Sequence, residues 1–401
     1  MNCNIFNGLC EPITCFVFLI LYCYNSKCSN ECSTTNTQTS GKDNRNLHTK
    51  NNISTRIISL DILRGFALIG MLIIHAAGLS KKQEIPMYSM DFYLDIFNNM
   101  FIHFKFVSIF SFLFGVGSYF FFLRAQQRGL HSYHLFSRRL ITLLPIGIIS
   151  ILICPQITPI LIIYSLFGFS LLLFFRLMSR MILRIAGLII TCNILLVMGA
   201  MVLGGPSSKS FNISVQIICY AVTYLSVIFS MMLLGLYVGK INLFQQLSQQ
   251  TVMIKKIQKM SCFLSLPLIL GGLWTIYINP DIEHNISFQG LCYITAYPLS
   301  IFYLSSIILL YNKDHSLYIY KPLSYVGRIS LTTYIGHALL LKLLPLLLGW
   351  TSGYTLVQSL ILSCIIFTML IIFSFIWLQK FKQGPIEKIW HLLTFGNKAR
   401  A

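Results

Sequence analysis

From about residue 57 onward the chain alternates between long apolar runs and short polar connections. A helix that crosses a bilayer needs about 20 mainly apolar residues. Ten runs meet or approach that length: 57–79, 104–123, 139–155, 157–175, 182–204, 213–239, 260–279, 288–311, 329–349 and 355–378. The third ends in Cys154-Pro155-Gln156-Ile157-Thr158-Pro159, which predicts a tight turn into the fourth. The second follows Asp91–His103, an aromatic and polar stretch suited to the membrane interface. Pro12–Tyr24 is a further apolar run of 13 residues, short for a span, and a Ser/Asn/Thr/Lys-rich segment follows it to about Asn52. No basic residue precedes it, which argues against a cleaved secretory signal. Residues 1–52 therefore read as a disordered extension, with 12–24 at most a weak extra N-terminal anchor. Residues 53–401 read as the membrane domain, with a basic tail at 379–401.

Charge fixes the orientation. Hydrophobic residues make up 56% of the chain and charged ones 10%, against roughly 25% charged in soluble domains. The net charge of +19 comes from 30 basic and 11 acidic residues, and the basic ones gather after every second run. Arg124, Arg128, Arg138 and Arg139 follow the second; Arg176, Arg180 and Arg184 the fourth; Lys240, Lys255, Lys256 and Lys259 the sixth. Lys313, Lys321 and Arg328 follow the eighth, and Lys380, Lys382, Lys388, Lys398 and Arg400 lie in the tail. The intervening loops hold little beyond Lys209, Asp281 and Glu283, except the loop after the first run, which is ambiguous, with Lys81 and Lys82 against Glu84, Asp91 and Asp95. By the positive-inside rule both ends of the membrane domain are cytoplasmic. The fold class that follows is an all-α polytopic transmembrane bundle of about ten spans, N-in and C-in, with the lipid bilayer as its first partner. No basic helix or zinc spacing accompanies the charge, so nucleic acid is excluded as a partner. Six of the 12 cysteines fall in the first 32 residues without a metal-ligand spacing, and the others sit in apolar runs as small hydrophobes. No metal is expected.

Charged groups at membrane depth cost about 2.5–3.5 kcal/mol each on insertion scales, so those retained are candidates for function. In the first run, Asp61 and Arg64 are three apart and can pair on one helical face. His75 lies 11 residues beyond Arg64, about three turns and roughly 16 Å up the same face. In the ninth, Ser330, Tyr334 and His337 fall at i, i+4, i+7 and form one polar stripe. Hydroxyls that bond neighbouring helices account equally well for Ser330 and Tyr334. His103 and Lys105 flank the start of the second run, a placement that suits the interface. Asn212 and Asn285 open N-x-S sequons on predicted outer loops. HExxH, CxxC and GxSxG patterns are absent from the sequence, which leaves metallohydrolase and serine-hydrolase chemistry without support.

Several of these residues fall in ordered motifs. Arg56 to Leu72, with Asp61 and Arg64-Gly65 inside it, resembles the opening of the YeiB-like membrane proteins, domain of unknown function 418. Further matches follow in order: Phe112-Leu-Phe-Gly-Val-Gly117 with Arg124 and Arg128-Gly129, then Arg138-Arg139-Leu140, then Tyr164-Ser-Leu-Phe-Gly168. Gly327-Arg-Ile-Ser-Leu-Thr-Thr-Tyr334 and Gly384-Pro-Ile-Glu387-Lys-Ile-Trp390 complete the set. That family is similar in fold to membrane acyltransferases that acetylate sugars, many of which carry an Arg, ten residues and a His on the first helix; Arg64 and His75 fit. YeiB-like proteins more often have Asn at the His75 position and Gln near His337, so this chain departs toward the acyltransferases at both. The resemblance implies transfer of an acetyl or similar group from a cytoplasmic acyl-CoA, such as acetyl-CoA, to a sugar, glycan or lipid acceptor at the membrane or outer face. It implies a bacterial-type cell membrane, His75 and His337 as catalytic residues, and Arg64, Asp61 and Arg328 as donor-binding ones. The alternative is a non-enzymatic transporter or lipid-binding scaffold; prolines at 145, 267, 298 and 345 lie within runs, without the paired halves typical of inverted repeats.

Overall fold

The computed structural model describes residues 57–80, 86–155, 157–203, 213–247, 249–282, 285–313, 318, 320–350 and 353–396. The expectations for residues 1–52, including the weak anchor at 12–24, and for Asn212 lie outside the described residues. Thirteen α-helices follow one another within them. The first is α1 (Ile58–Leu79). A continuous second helix comprises α2 (Met90–Phe97), a π-helical turn at Asn98–Ile102 and α3 (His103–Gln127). Then come α4 (Ser132–Ile153), α5 (Ile160–Phe174), α6 (Ser179–Leu203), α7 (Ile213–Lys240), α8 (Thr251–Ile278) and α9 (Ile286–Lys313). The series ends with α10 (Tyr320–Arg328), α11 (Ser330–Leu347), α12 (Leu356–Lys380) and α13 (Pro385–Phe395).

Among the described residues nine helices are long and apolar enough to cross a membrane, and α5 is a shorter apolar tenth. Their outward faces carry large apolar side chains such as Leu152, Leu173, Phe263 and Ile376, all exposed. A surface of that kind is stable against lipid, not water. The second run differs from the sequence expectation. It begins about four turns earlier, at Met90, capped by the Ser89 hydroxyl, which accepts the Phe92 N–H. The ninth agrees within two residues (Ser330–Leu347), and Ile329 (φ −115°, ψ 43°) separates it from a preceding short helix, α10, that the sequence expectation does not include.

Close backbone approach at glycine holds the centre. A Cβ on Gly65 of α1 would strike the Leu323 carbonyl of α10, and one on Gly327 would strike the Asp61 carbonyl. Gly115 of α3 and Gly235 of α7 make the same reciprocal contact with Met232 and Phe112. Small residues of this kind let helices in lipid approach closely enough to pack backbone on backbone.

The terminal motif is a strap. After Ile329 leaves the helix, the first N–H groups of α11 have no partner within it. Glu387 of α13 supplies one, accepting the N–H groups of Leu331 (2.7 Å) and Thr332 (3.0 Å) and the Thr332 hydroxyl. Trp390 donates its indole N–H to the Arg139 carbonyl of α4 at 3.1 Å. The Tyr164 motif docks α5: its hydroxyl pairs with Ser111 at 2.9 Å, and Ser165 donates to the Leu140 carbonyl at 2.8 Å.

Candidate active site

α1 and the α10–α11 pair rise from the basic end in the same direction, crossing at Gly65 and Gly327. Ten residues further along each chain stand His75 and His337, both buried (3% and 1% exposed). Their rings stack, with centroids 5.1 Å apart and an interplanar angle of 15°. His75 Nδ1 lies 2.8 Å from His337 Nε2, and His337 Nδ1 lies 3.3 Å from the Thr333 carbonyl. A carbonyl oxygen only accepts, so His337 carries its proton on Nδ1 and presents a lone pair on Nε2. That lone pair accepts the Nδ1–H of His75. The order leaves His75 Nε2 with a lone pair, buried and with no hydrogen-bond partner in the structure. A neutral imidazole so oriented can take a proton from a group brought to it. Tyr334 packs edge-on to both rings, at 6.1 and 4.9 Å between centroids.

Asp61 and Arg64 sit at the opposite, basic end of α1. Arg64 Nη1 is 3.4 Å from Asp61 Oδ1; the carboxylate is buried and the Arg64 side chain 32% exposed. Arg328 ends α10, where its Nη2 donates to the Lys382 carbonyl at 3.0 Å, tying that helix to the C-terminal strap. The structure thus brings His75 and His337 together and leaves Asp61, Arg64 and Arg328 about three turns away. Ser330 opens α11, two turns from His337, and its carbonyl accepts the Thr333 hydroxyl at 3.1 Å.

Beyond the histidines, at the end poor in basic residues, lies a cavity of about 660 Å³. Ile74, Ala77 and Gly78, which flank His75 on α1, form one wall, and Asp91, Asp95, Asn98, Asn99 and His103 another. Asp91 also accepts the Val357 N–H of α12 at 3.1 Å, and Asn99 donates to Asp95 at 3.0 Å. The Asn98 side-chain oxygen is buried without a donor. Lys105 overturns its expected interfacial placement. It is fully buried, and its ammonium donates to the carbonyls of Asn99 (2.9 Å) and Cys292 (3.1 Å), tethering the π-helical turn to α9. Asn285 is also buried, capping α9 through the Phe288 N–H at 2.9 Å, which removes it as a surface glycan acceptor.

The aspartates and asparagines of this wall went unnoticed in the sequence because Asp91–His103 reads as an interfacial stretch. The available signal was polar side chains recurring at i, i+4 and i+7–i+8 (Asp91, Asp95, Asn98, Asn99) next to an apolar run. Among the described residues no group of three or more His, Cys, Asp or Glu side chains gathers as a metal site.

The fold defines an integral, multi-pass helical membrane protein with a buried histidine pair between two spans. Its residues 238–397 match the family described as "Protein of unknown function (DUF418)". The chain is 30% identical over 362 residues to the "Uncharacterized 39.9 kDa protein in amylase 3'region" of Bacillus acidopullulyticus, covering 86% of this chain and 96% of that one. It is 25% identical over 394 residues to "Uncharacterized protein YxaH" of Bacillus subtilis (strain 168), covering 85% and 94%. A 69-residue stretch is 36% identical to "Uncharacterized protein YeiB" of Escherichia coli (strain K12), covering 17% and 18%. The chain belongs to the DUF418 family.

Proposed function

We propose that the protein is a membrane-embedded acyltransferase of a bacterial cell membrane, taking an acetyl or similar acyl group from cytoplasmic acyl-CoA to a hydroxyl or amine of a glycan or lipid acceptor at the outer side. The observation that carries this reading is the hydrogen-bond order Thr333–His337–His75, which leaves a basic lone pair at His75 Nε2. His75 is the general base and His337 fixes its tautomer. The acceptor O–H or N–H gives its proton to His75 Nε2 as the acceptor atom attacks the thioester carbonyl. The tetrahedral adduct collapses with cleavage of the C–S bond, and His75 returns the proton to the departing CoA thiolate. The products are the acylated acceptor and CoA thiol. Arg64, oriented by Asp61, holds the phosphate end of the donor through charge-assisted hydrogen bonds, and Arg328 adds positive charge at the same end. The roughly 16 Å from Arg64 to His75 along α1 suits an extended pantetheine arm. The cavity beyond His75 receives the acceptor. The bacterial relatives support the cellular location.

The test is acyl transfer, or thioester hydrolysis to water, by purified protein supplied with radiolabelled acetyl-CoA. Wild type should turn over and His75→Ala should lose that activity by about 10²–10⁴-fold. A folded wild type that neither binds nor cleaves acetyl-CoA would favour the transporter or scaffold reading.

A further inference from the structure

Arg139 lies near the start of α4, at the basic end of the bundle, between two aromatic rings. Its guanidinium carbon is 4.4 Å from the ring centroid of Phe121 on α3 and 4.1 Å from that of Trp390 on α13. Trp390 is itself held, because its N–H donates to the Arg139 carbonyl. A guanidinium packed against two rings is held in place while its planar fork of five N–H donors stays available at its edges. No acceptor meets them among the described residues.

Arg64 stands beside it. Its Nη2 lies 3.0 Å from where a Cβ on Gly117 would be, so the absence of a side chain at Gly117 makes room for the guanidinium. Gly117 and Phe121 are one turn apart on a single face of α3. The two guanidiniums therefore meet the same face of α3 one turn apart along it, and Arg124 lies three residues beyond Phe121. Arg64 and Arg124 are near enough for their charge to bear on Arg139. Asp61 pairs with Arg64 at 3.4 Å, and Glu387 is occupied in capping α11. The Arg139 fork, held in place with its donors unused and with the Arg64 cation nearby, forms a site for an anion with several oxygens.

We propose that Arg139 and Arg64 together bind a phosphate-bearing ligand at the cytoplasmic end, with Phe121 and Trp390 as positioning residues that hold the Arg139 fork. Identifying the ligand as acyl-CoA rests on the acyltransferase reading; phosphate binding does not. The same chemistry is offered by a soluble phosphoanhydride or by the headgroup of an anionic lipid, and separate titrations distinguish them.

Full-length protein in phosphatidylcholine nanodiscs is titrated calorimetrically with inorganic pyrophosphate and with CoA. Wild type should bind both, and Arg139→Gln should weaken each by tenfold or more. Arg139→Lys keeps the charge and should still lose most of the affinity, because an ammonium lacks the planar fork. Trp390→Leu should weaken binding as Arg139→Gln does, whereas Trp390→Phe, which keeps a ring over the guanidinium, should recover part of it. In a second arm, phosphatidylglycerol replaces part of the phosphatidylcholine. A rise in thermal midpoint in wild type that Arg139→Gln abolishes, without pyrophosphate binding, assigns the site to a lipid headgroup and removes the donor-site part of the acyltransferase reading. Arg139-dependent binding of pyrophosphate without acyl turnover upholds the site and sinks that reading instead. Wild-type affinity for pyrophosphate and no lipid effect in a folded Arg139→Gln overturns the proposal; should that variant not fold, unchanged affinity in Arg139→Lys overturns the fork.

Discussion

His75 and His337 meet at 2.8 Å across an offset of 262 residues, the offset that also separates Gly65 from Gly327. Two parallel stretches are thus in register from the glycine crossing to the imidazole pair, over ten residues or about 15 Å of helix. Backbone contact at the glycines sets how close α1 and α11 can be where the imidazoles meet.

Gly65→Ala or Gly327→Ala should therefore act at a distance. Each added methyl collides with a backbone carbonyl and should lower stability by about 1–3 kcal/mol, the usual range for overpacking. Both should also lower turnover, because the imidazoles are moved apart. Thermal unfolding in detergent and the transfer assay check this; wild-type behaviour of Gly327→Ala in both would show that the crossing does not control the pair.

The histidines themselves should separate by substitution. Loss of His337 leaves His75 Nδ1–H buried without an acceptor, at about 1–3 kcal/mol. His337→Gln restores a side-chain acceptor and should keep more activity than His337→Phe. Equal loss in the two variants would argue that His337 acts directly on substrate and not through the tautomer of His75.

The helical bundle, nine long apolar helices and a shorter tenth among the described residues, was legible because lipid imposes one rule, about 20 apolar residues per crossing. Asp61, Arg64 and His75 were visible as polar residues in an apolar helix. Other features depend on tertiary contact. Nothing in the local sequence distinguishes Lys105, buried under two carbonyls, from a lysine at the interface. The short helix α10 before Ile329 was hidden because its sequence, Tyr320–Arg328, is too polar and too short to read as a span, and the role of Glu387 is defined by a helix more than fifty residues earlier.

Removing the Glu387 cap gives a graded prediction. Glu387→Ala leaves the first N–H groups of α11 unsatisfied and should cost about 0.5–2 kcal/mol, as for other N-caps. Glu387→Gln retains one acceptor and should fall between wild type and Ala. Thermal unfolding of the three proteins orders them; identical midpoints would mean that water replaces the carboxylate without loss.

His391 on α13 reports on the anion site. Burial, then the charges of Arg128 and Arg139, hold its imidazole below the usual 6.5. An anion bound at Arg139 offsets part of the cationic contribution, so the imidazole pKa should rise on binding, and affinity should increase as pH falls through that range. NMR titration of labelled histidine with and without pyrophosphate measures the shift. A value unmoved by saturating pyrophosphate would place the anion elsewhere.

Orientation is open to direct labelling. Single cysteines introduced at 128–131, 246–250 or 382–384 should react with impermeant maleimide only after the membrane is opened, and those at 280–282 should react in intact cells. External labelling at 246–250 would invert or miscount the spans.

The strap of α13 also bears on how the protein is made. Glu387 caps a helix whose capped residue was synthesised 55 positions before it. Every apolar span has been synthesised before that carboxylate exists, so the start of α11 is still uncapped when the last of them is complete. Completion of the chain is then what settles the helix carrying His337, and a product cut short after α12 would insert in full and still lack a finished histidine pair.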